Sequence, residues 1–290
     1  MTIHSGISEP NASDVDVVKI VSTDAVLIGR LYQPVHRPRA AVVLHGAVGV
    51  PQRSYRHFAA WLAAERGMAC LTYDYRDFGA SAAGSMRGSR ATLSDWGLHD
   101  QEAALDAVES SLPGVPLWVI GHSLGGAMLP FHRPRNIERA IVLAAGLLHV
   151  SDHPWPYQAL ARQFWHVSGP IATMAAGYMP GRRIGFGSDL PAGVFWQWRR
   201  WCTRRGFHLN DAGNHLPQLD PAAHTAPTRL IAVADDVMVP APAVCRMMEL
   251  MPKSMKHLRL LRPEDFGLMS IGHLGAFDRG KSVLWPAIVD

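Results

Sequence analysis

The chain has 290 residues, 48% hydrophobic and 18% charged, with a formal net charge of +4. That balance excludes a disordered or fibrous chain and provides for a large core, as one domain with an insertion or as two domains. The arginines are scattered, without a lysine-rich block or an RNA-binding signature, so no nucleic-acid partner is expected.

The first fourteen residues, "MTIHSGISEPNASD", are polar. They lack the basic end and apolar core of a signal peptide and are expected to fray. "VDVVKIVS" and "AVLIGRLYQP" flank Thr23-Asp24 and predict an antiparallel strand pair. "AAVVLHG" (40–46) predicts a short buried strand. Helical spacing at Phe58, Trp61, Leu62 and Ala64 predicts a helix over 53–67 that stops at Gly67. A strand over 68–76 follows, then a helix over 93–112 with Ser94 or Asp95 as N-cap. "PLWVIG" (116–121) predicts a strand with a helix after Ser123, and "ERAIVLAAG" (138–146) another strand.

From 147 to 226 the alternation stops in a stretch rich in Trp, Pro, His and Gly. Strands at 228–234 and 257–261, a helix near 242–250 and a last helix at 277–288 complete the chain. Alternating β and α elements with short apolar strands predict an α/β fold: a mostly parallel twisted sheet with helices on both faces. The expected division is a core of 1–146 and 227–290 with a mainly helical cap inserted at 147–226. The longest apolar run, "AIVLAAGLL" (140–148), is too short to span a bilayer, so no membrane partner is expected. Cys70, Cys202 and Cys245 are far apart and odd in number, which suits a reducing cytoplasm better than a disulfide framework.

Chemistry is concentrated at Gly121-His122-Ser123-Leu124-Gly125, a G-x-S-x-G pattern after an apolar strand. On these five residues alone, a helix N-cap serine in a glycine turn is an equal reading. The context favours a nucleophile. Ligands of parallel sheets bind beyond the carboxyl ends of the strands, where Ser123 falls. Asp235 and Asp236 follow the strand "RLIAVA", and His273 follows "HLRLL", in the chain order Ser, Asp, His. His45-Gly46 ends an earlier strand, where a turn can aim an amide at a developing oxyanion.

These segments, "HGAVG", "YDYRDFGAS", "GHSLGG", "DDVMVP" and "GHLGAF", resemble in order and spacing those of the α/β-hydrolase superfamily. "GVPQRSYRHFAAWLAAERG" and "DWGLHDQEAALDAV" resemble a bacterial, esterase-like branch of its serine hydrolases. The resemblance implies Ser123 as nucleophile and His273 as base. Its D-x-x-V-P pattern selects Asp236 as the acid, and the backbone N–H groups of Ala47 and Leu124 are the implied oxyanion donors. It further implies a serine esterase, and the tryptophan-rich stretch at 147–226 leads to the expectation of a small or medium apolar acyl substrate. Acyltransferase or thioesterase chemistry on the same triad, and a non-catalytic binding protein on a hydrolase scaffold, remain alternatives. Asp77 departs from the pattern, because many members have glycine there.

No cofactor or metal is expected. "GFGSDL" has Leu190 where a dinucleotide fingerprint needs glycine, no Walker A lysine motif occurs, and His149, Asp152 and His153 run straight into Pro154. His45 and His122 read as structural histidines. In "VFWQWRRWCTRR", Phe195, Trp198, Trp201 and Cys202 share a helical spacing. Trp198 and Trp201 are the expected substrate-binding rings. Nothing in the sequence sets an oligomeric state.

Overall fold

The computed structural model describes residues 15–290; the polar opening segment read as frayed and without signal-peptide character lies outside the described residues. Eight strands form one sheet: β1 (Val15–Ser22), β2 (Ala25–Tyr32), β3 (Ala40–His45), β4 (Met68–Tyr73), β5 (Leu117–His122), β6 (Ile137–Leu143), β7 (Thr228–Val233) and β8 (Lys256–Leu261). Their order is β1-β2-β4-β3-β5-β6-β7-β8. β1 pairs antiparallel with β2, and β2 antiparallel with β4; every other pairing is parallel. The expected α/β fold is the one observed.

Alternation along each strand sends side chains to two separate cores. Val43, Val119, Val142 and Leu230 face one, and Val42, Ile120, Ile141 and Ile231 the other. Helices α1 (Arg56–Arg66) and α9 (Trp285–Val289) cover the second core, with Phe58 and Trp61 packed on Trp285. On the first core lie α2 (Leu93–Asp95), which runs through a π turn into α3 (Gln101–Ser111), and α8 (Ala241–Met247). The remaining helices are α4 (Leu124–Ala127) and, between β6 and β7, α5 (Tyr157–Gln163), α6 (Gly169–Ala176) and α7 (Ala192–Cys202).

Several boundaries differ from expectation, among them that of β6, which ends at Leu143 rather than 146. The N-cap before α2 is Thr92, not Ser94 or Asp95, because Thr92 and Asp95 form a reciprocal capping box. Strand β4 ends at Tyr73 rather than 76, because Asp74 turns its carboxylate onto the amides of Gln52 and Ala80. The C-terminal segment is only partly α-helical: a 3₁₀ run over Arg279–Leu284 precedes α9, started by Asp278 accepting from the Gly280 amide. Asp77 sits at φ 55°, a left-handed conformation that glycine adopts freely, and accepts from the Ser89 hydroxyl at 2.5 Å.

Buried histidines make the fold acid-sensitive. Burial holds His132, His208 and His224 at about 4, and His45 and His122 well below the ordinary value. Above about pH 6.5 these rings are neutral in both folded and unfolded chains. Below it the unfolded chain takes up protons that the folded one refuses, so stability falls as pH drops from 6.5 towards 4. Burial raises Asp74 and Asp100 and works in the opposite direction, but they are fewer and titrate from a lower reference value. The urea midpoint is therefore expected to fall steadily between pH 7 and 4.5. Each such histidine contributes up to about 1.4 kcal/mol per pH unit. A midpoint that stays level over that range would refute the assignment.

Candidate active site

Ser123 occupies the turn between β5 and α4 with φ 53° and ψ −116°, a conformation rarely populated by a residue with a side chain. Two glycines make the turn possible. A Cβ on Gly121 would lie 2.5 Å from Gly126, and one on Gly125 would lie 2.2 Å from the His45 carbonyl oxygen. The Ser123 amide donates to the Leu143 carbonyl at 2.9 Å, which ties the turn to β6. The helix that follows is short, because Pro130 cannot continue it.

His273 stands on a loop after β8 and is buried. Its Nδ1 lies 2.7 Å from Asp236 Oδ2. A carboxylate can only accept, so the ring proton sits on Nδ1 and Nε2 carries the lone pair. Asp236 is held in turn, its Oδ1 accepting from the amides of Met238 and Val239 at 2.8 and 2.9 Å. Asp235, the neighbour not selected by the D-x-x-V-P pattern, also contributes. Its two oxygens accept from the amides of Ile271 and Gly272, fastening the loop that carries His273.

His122 is structural, and its hydrogen bonds fix its tautomer. The Ala47 amide donates to the Tyr55 hydroxyl oxygen at 2.9 Å, and that hydroxyl lies 2.9 Å from His122 Nδ1. His122 Nε2 lies 2.9 Å from the His273 carbonyl oxygen, which can only accept. The proton of neutral His122 is therefore on Nε2, and Nδ1 receives the Tyr55 proton. The chain of bonds links the turn after β3 to the backbone of His273. His45 is likewise buried, with Nδ1 2.7 Å from the Tyr73 hydroxyl.

This network corrects one expectation. The Ala47 N–H, read as an oxyanion donor, is taken by Tyr55, whose ring packs 3.1 Å from where a Cβ on Gly46 would stand. The next residue, Val48, lines the cavity above Ser123, and its amide has no protein acceptor among the described residues. Leu124, the other expected donor, lines the same cavity.

The cavity measures about 200 Å³ and contains Ser123 and His273 in its wall. Phe164, Trp165, Phe186 and Trp198 give it an aromatic side, Phe164 stacking on Phe186 and Trp165 meeting Trp198 edge-on. Trp198 thus falls where expected, but Trp201 does not. Trp201 is 0% exposed, and its indole N–H donates to Asp211 Oδ2 at 2.7 Å. Trp198 and Cys202, four residues apart on α7, share the cavity side, and Trp201 is turned away towards Asp211. Phe164 and Phe186 are contributors that the sequence did not single out for the wall. Among the described residues no group of His, Cys, Asp and Glu has the arrangement of a metal site, and no helix is long and apolar enough to cross a membrane. His149 is engaged with Ser151, and Asp152 pairs with Arg246.

Comparison with known proteins places the chain. The family model for serine aminopeptidase, S33, matches residues 36–188, more than half of the chain. The chain belongs to this family of α/β-hydrolases. Over 152 residues this S33 family member is 26% identical to monoglyceride lipase of Homo sapiens, a match covering 50% of the chain and 48% of the lipase. The chain therefore spans about half the length of the curated relative it matches. Its fold resembles that of a Pyrococcus furiosus esterase, PF2001 (TM-score 0.58, 14% identity, 95% of this chain and 89% of that one). It also resembles DcsB, solved with a substrate analogue (TM-score 0.64, 14% identity, 94% and 97%), and Est1E of Butyrivibrio proteoclasticus, solved with ferulic acid (0.58, 16%, 93% and 96%). The S33 protein thus has the α/β-hydrolase fold.

Proposed function

We propose that this protein is a serine esterase that cleaves carboxylic esters of small or medium apolar acyl groups through an acyl-enzyme. The observation that carries the reading is the pairing of Asp236 with His273 at 2.7 Å in the wall of the apolar cavity that also holds Ser123. In this mechanism His273 Nε2 takes the Ser123 proton as Oγ attacks the ester carbonyl. The carbonyl oxygen becomes an oxyanion facing the amides of Leu124 and Val48, each such donor worth about 100- to 1000-fold in rate. The His273 proton passes to the departing alkoxide, releasing the alcohol. Water then repeats the sequence on the acyl-Ser123 ester, freeing the acid and the serine.

The composition of the cavity wall favours esters over peptides with a free N-terminus. Among the described residues that line it there is no carboxylate to hold an ammonium group. In this reading residues 147–226 act as a cap over the core formed by 1–146 and 227–290, because α5 and α7 contribute to the wall of the cavity that holds Ser123. The free cysteines Cys70, Cys202 and Cys245 suit the cytoplasm.

A fluorophosphonate probe is expected to label the protein, and a non-catalytic binding protein would not label. On a panel of p-nitrophenyl esters, kcat/KM is expected to rise by roughly fourfold per methylene, about 0.8 kcal/mol each, from acetyl to butyryl or hexanoyl. It is then expected to fall once the cavity is full. A maximum at acetyl, or a strong preference for charged peptides, would defeat this reading of the acyl pocket.

A further inference from the structure

Apart from Ser123 and His273, the side chains with polar atoms lining the cavity among the described residues are His153, Tyr157, the Cys202 thiol and the indoles of Trp165 and Trp198. His153 is held in place from several sides. Its Nδ1 lies 2.9 Å from the carbonyl oxygen of Val237, the residue after Asp236. Its own carbonyl accepts from Gln158 Nε2 at 3.1 Å, and Tyr157 packs edge-on against its ring, centroids 5.1 Å apart. The loop before it is clamped by Arg246, which binds Asp152 and the Leu147 carbonyl.

The Val237 carbonyl can only accept, so the proton of the His153 ring sits on Nδ1. Burial lowers the His153 pKa, which keeps the ring neutral at pH 7. Nε2 is then a lone-pair acceptor with no protein partner among the described residues, on a ring that borders a mostly apolar space. The Tyr157 hydroxyl keeps its proton, because burial and the nearby Asp236 charge raise its pKa. A polar atom in such a wall costs affinity for a purely apolar ligand and gains it for one with a matching donor.

We propose that His153 is a specificity-determining residue that accepts a hydrogen bond from a hydroxyl group on the apolar body of the substrate. The preferred esters are therefore hydroxylated ones, and Tyr157, whose ring packs against His153 in the same cavity wall, offers a hydroxyl to donate to the same group. The inference rests on the ester-hydrolase reading of the site. It adds a substrate feature that the triad does not require.

The test compares matched esters with and without one hydroxyl, placed along the acyl chain in one series and on the alcohol in the other. Wild-type kcat/KM is expected to favour a hydroxylated ester in one series by roughly 10- to 100-fold. The series that responds tells which half of the ester carries the hydroxyl. In His153→Asn the amide nitrogen can take the place of Nδ1 towards Val237, but the Nε2 acceptor is gone. The hydroxyl preference is then expected to fall to near unity. Wild-type hydrolysis without a preference at any position overturns this inference alone. So does a preference that survives in His153→Asn, or a variant that loses both substrates equally, the mark of a residue that only supports the Asp236 loop. No hydrolysis of any ester overturns the inference together with the reading beneath it.

Discussion

Ser123→Ala is expected to fold as the wild type does and to lose ester turnover by about ten-thousand-fold or more. The Ser123 backbone bonds, its amide to Leu143 and its carbonyl from Gly126 and Ala127, do not involve the side chain. Alanine takes on the same strained φ and ψ, and the glycines that relieve crowding around the turn are untouched. The melting temperature should therefore stay close to that of the wild type. What disappears is the hydroxyl proposed to form the acyl-enzyme, so p-nitrophenyl butyrate turnover and fluorophosphonate labelling should vanish together. A purified variant that kept a tenth of the wild-type rate would show that Ser123 is not the nucleophile.

The two adjacent aspartates are expected to separate sharply. Asp236→Asn should lower kcat by about 1000-fold or more, because an amide can offer His273 Nδ1 a donor where it needs an acceptor, favouring the wrong tautomer. The amides of Met238 and Val239 would still find an oxygen, so the loop should keep its shape. Asp235→Asn should cost far less. It leaves one of the two oxygens that hold the Ile271 and Gly272 amides, a loss of about 1 kcal/mol or roughly fivefold. Steady-state kinetics on both purified variants decide the matter. Equal losses, or the reverse order, would overturn the assignment of Asp236 as the partner of His273.

The segments that read well in the sequence are those in which neighbouring residues impose the geometry. Gly67 ends α1 with φ 60°, and Gly121 and Gly125 leave the space that the Ser123 turn needs. The apolar strands and their spacing were sufficient for the parallel sheet, because alternation along each strand feeds two cores whatever the partners are. The D-x-x-V-P spacing selected the aspartate that does meet His273, since the Met238 and Val239 amides that orient it are two and three residues away.

Tertiary structure decided what depended on a distant partner or on the rotation of a helix. Tyr55 lies eight residues from Ala47 and meets it only because the start of α1 folds back over the turn after β3; the amide expected to face substrate is used up there. Asp235 reaches across 36 and 37 residues to clamp the His273 loop, a role that nothing beside it in the chain signals. Trp198 and Trp201 look equivalent as letters three apart, yet Asp211 captures the second and the first borders the cavity. His153 looked like half of an abandoned metal motif until the Val237 carbonyl, 84 residues away, fixed its proton and left its other nitrogen without a partner among the described residues. Backbone conformation is set mainly by adjacent residues and their sterics, so it can be read from the chain. Which polar atoms remain free to act depends on every donor and acceptor that folding brings near, and only the assembled structure counts those.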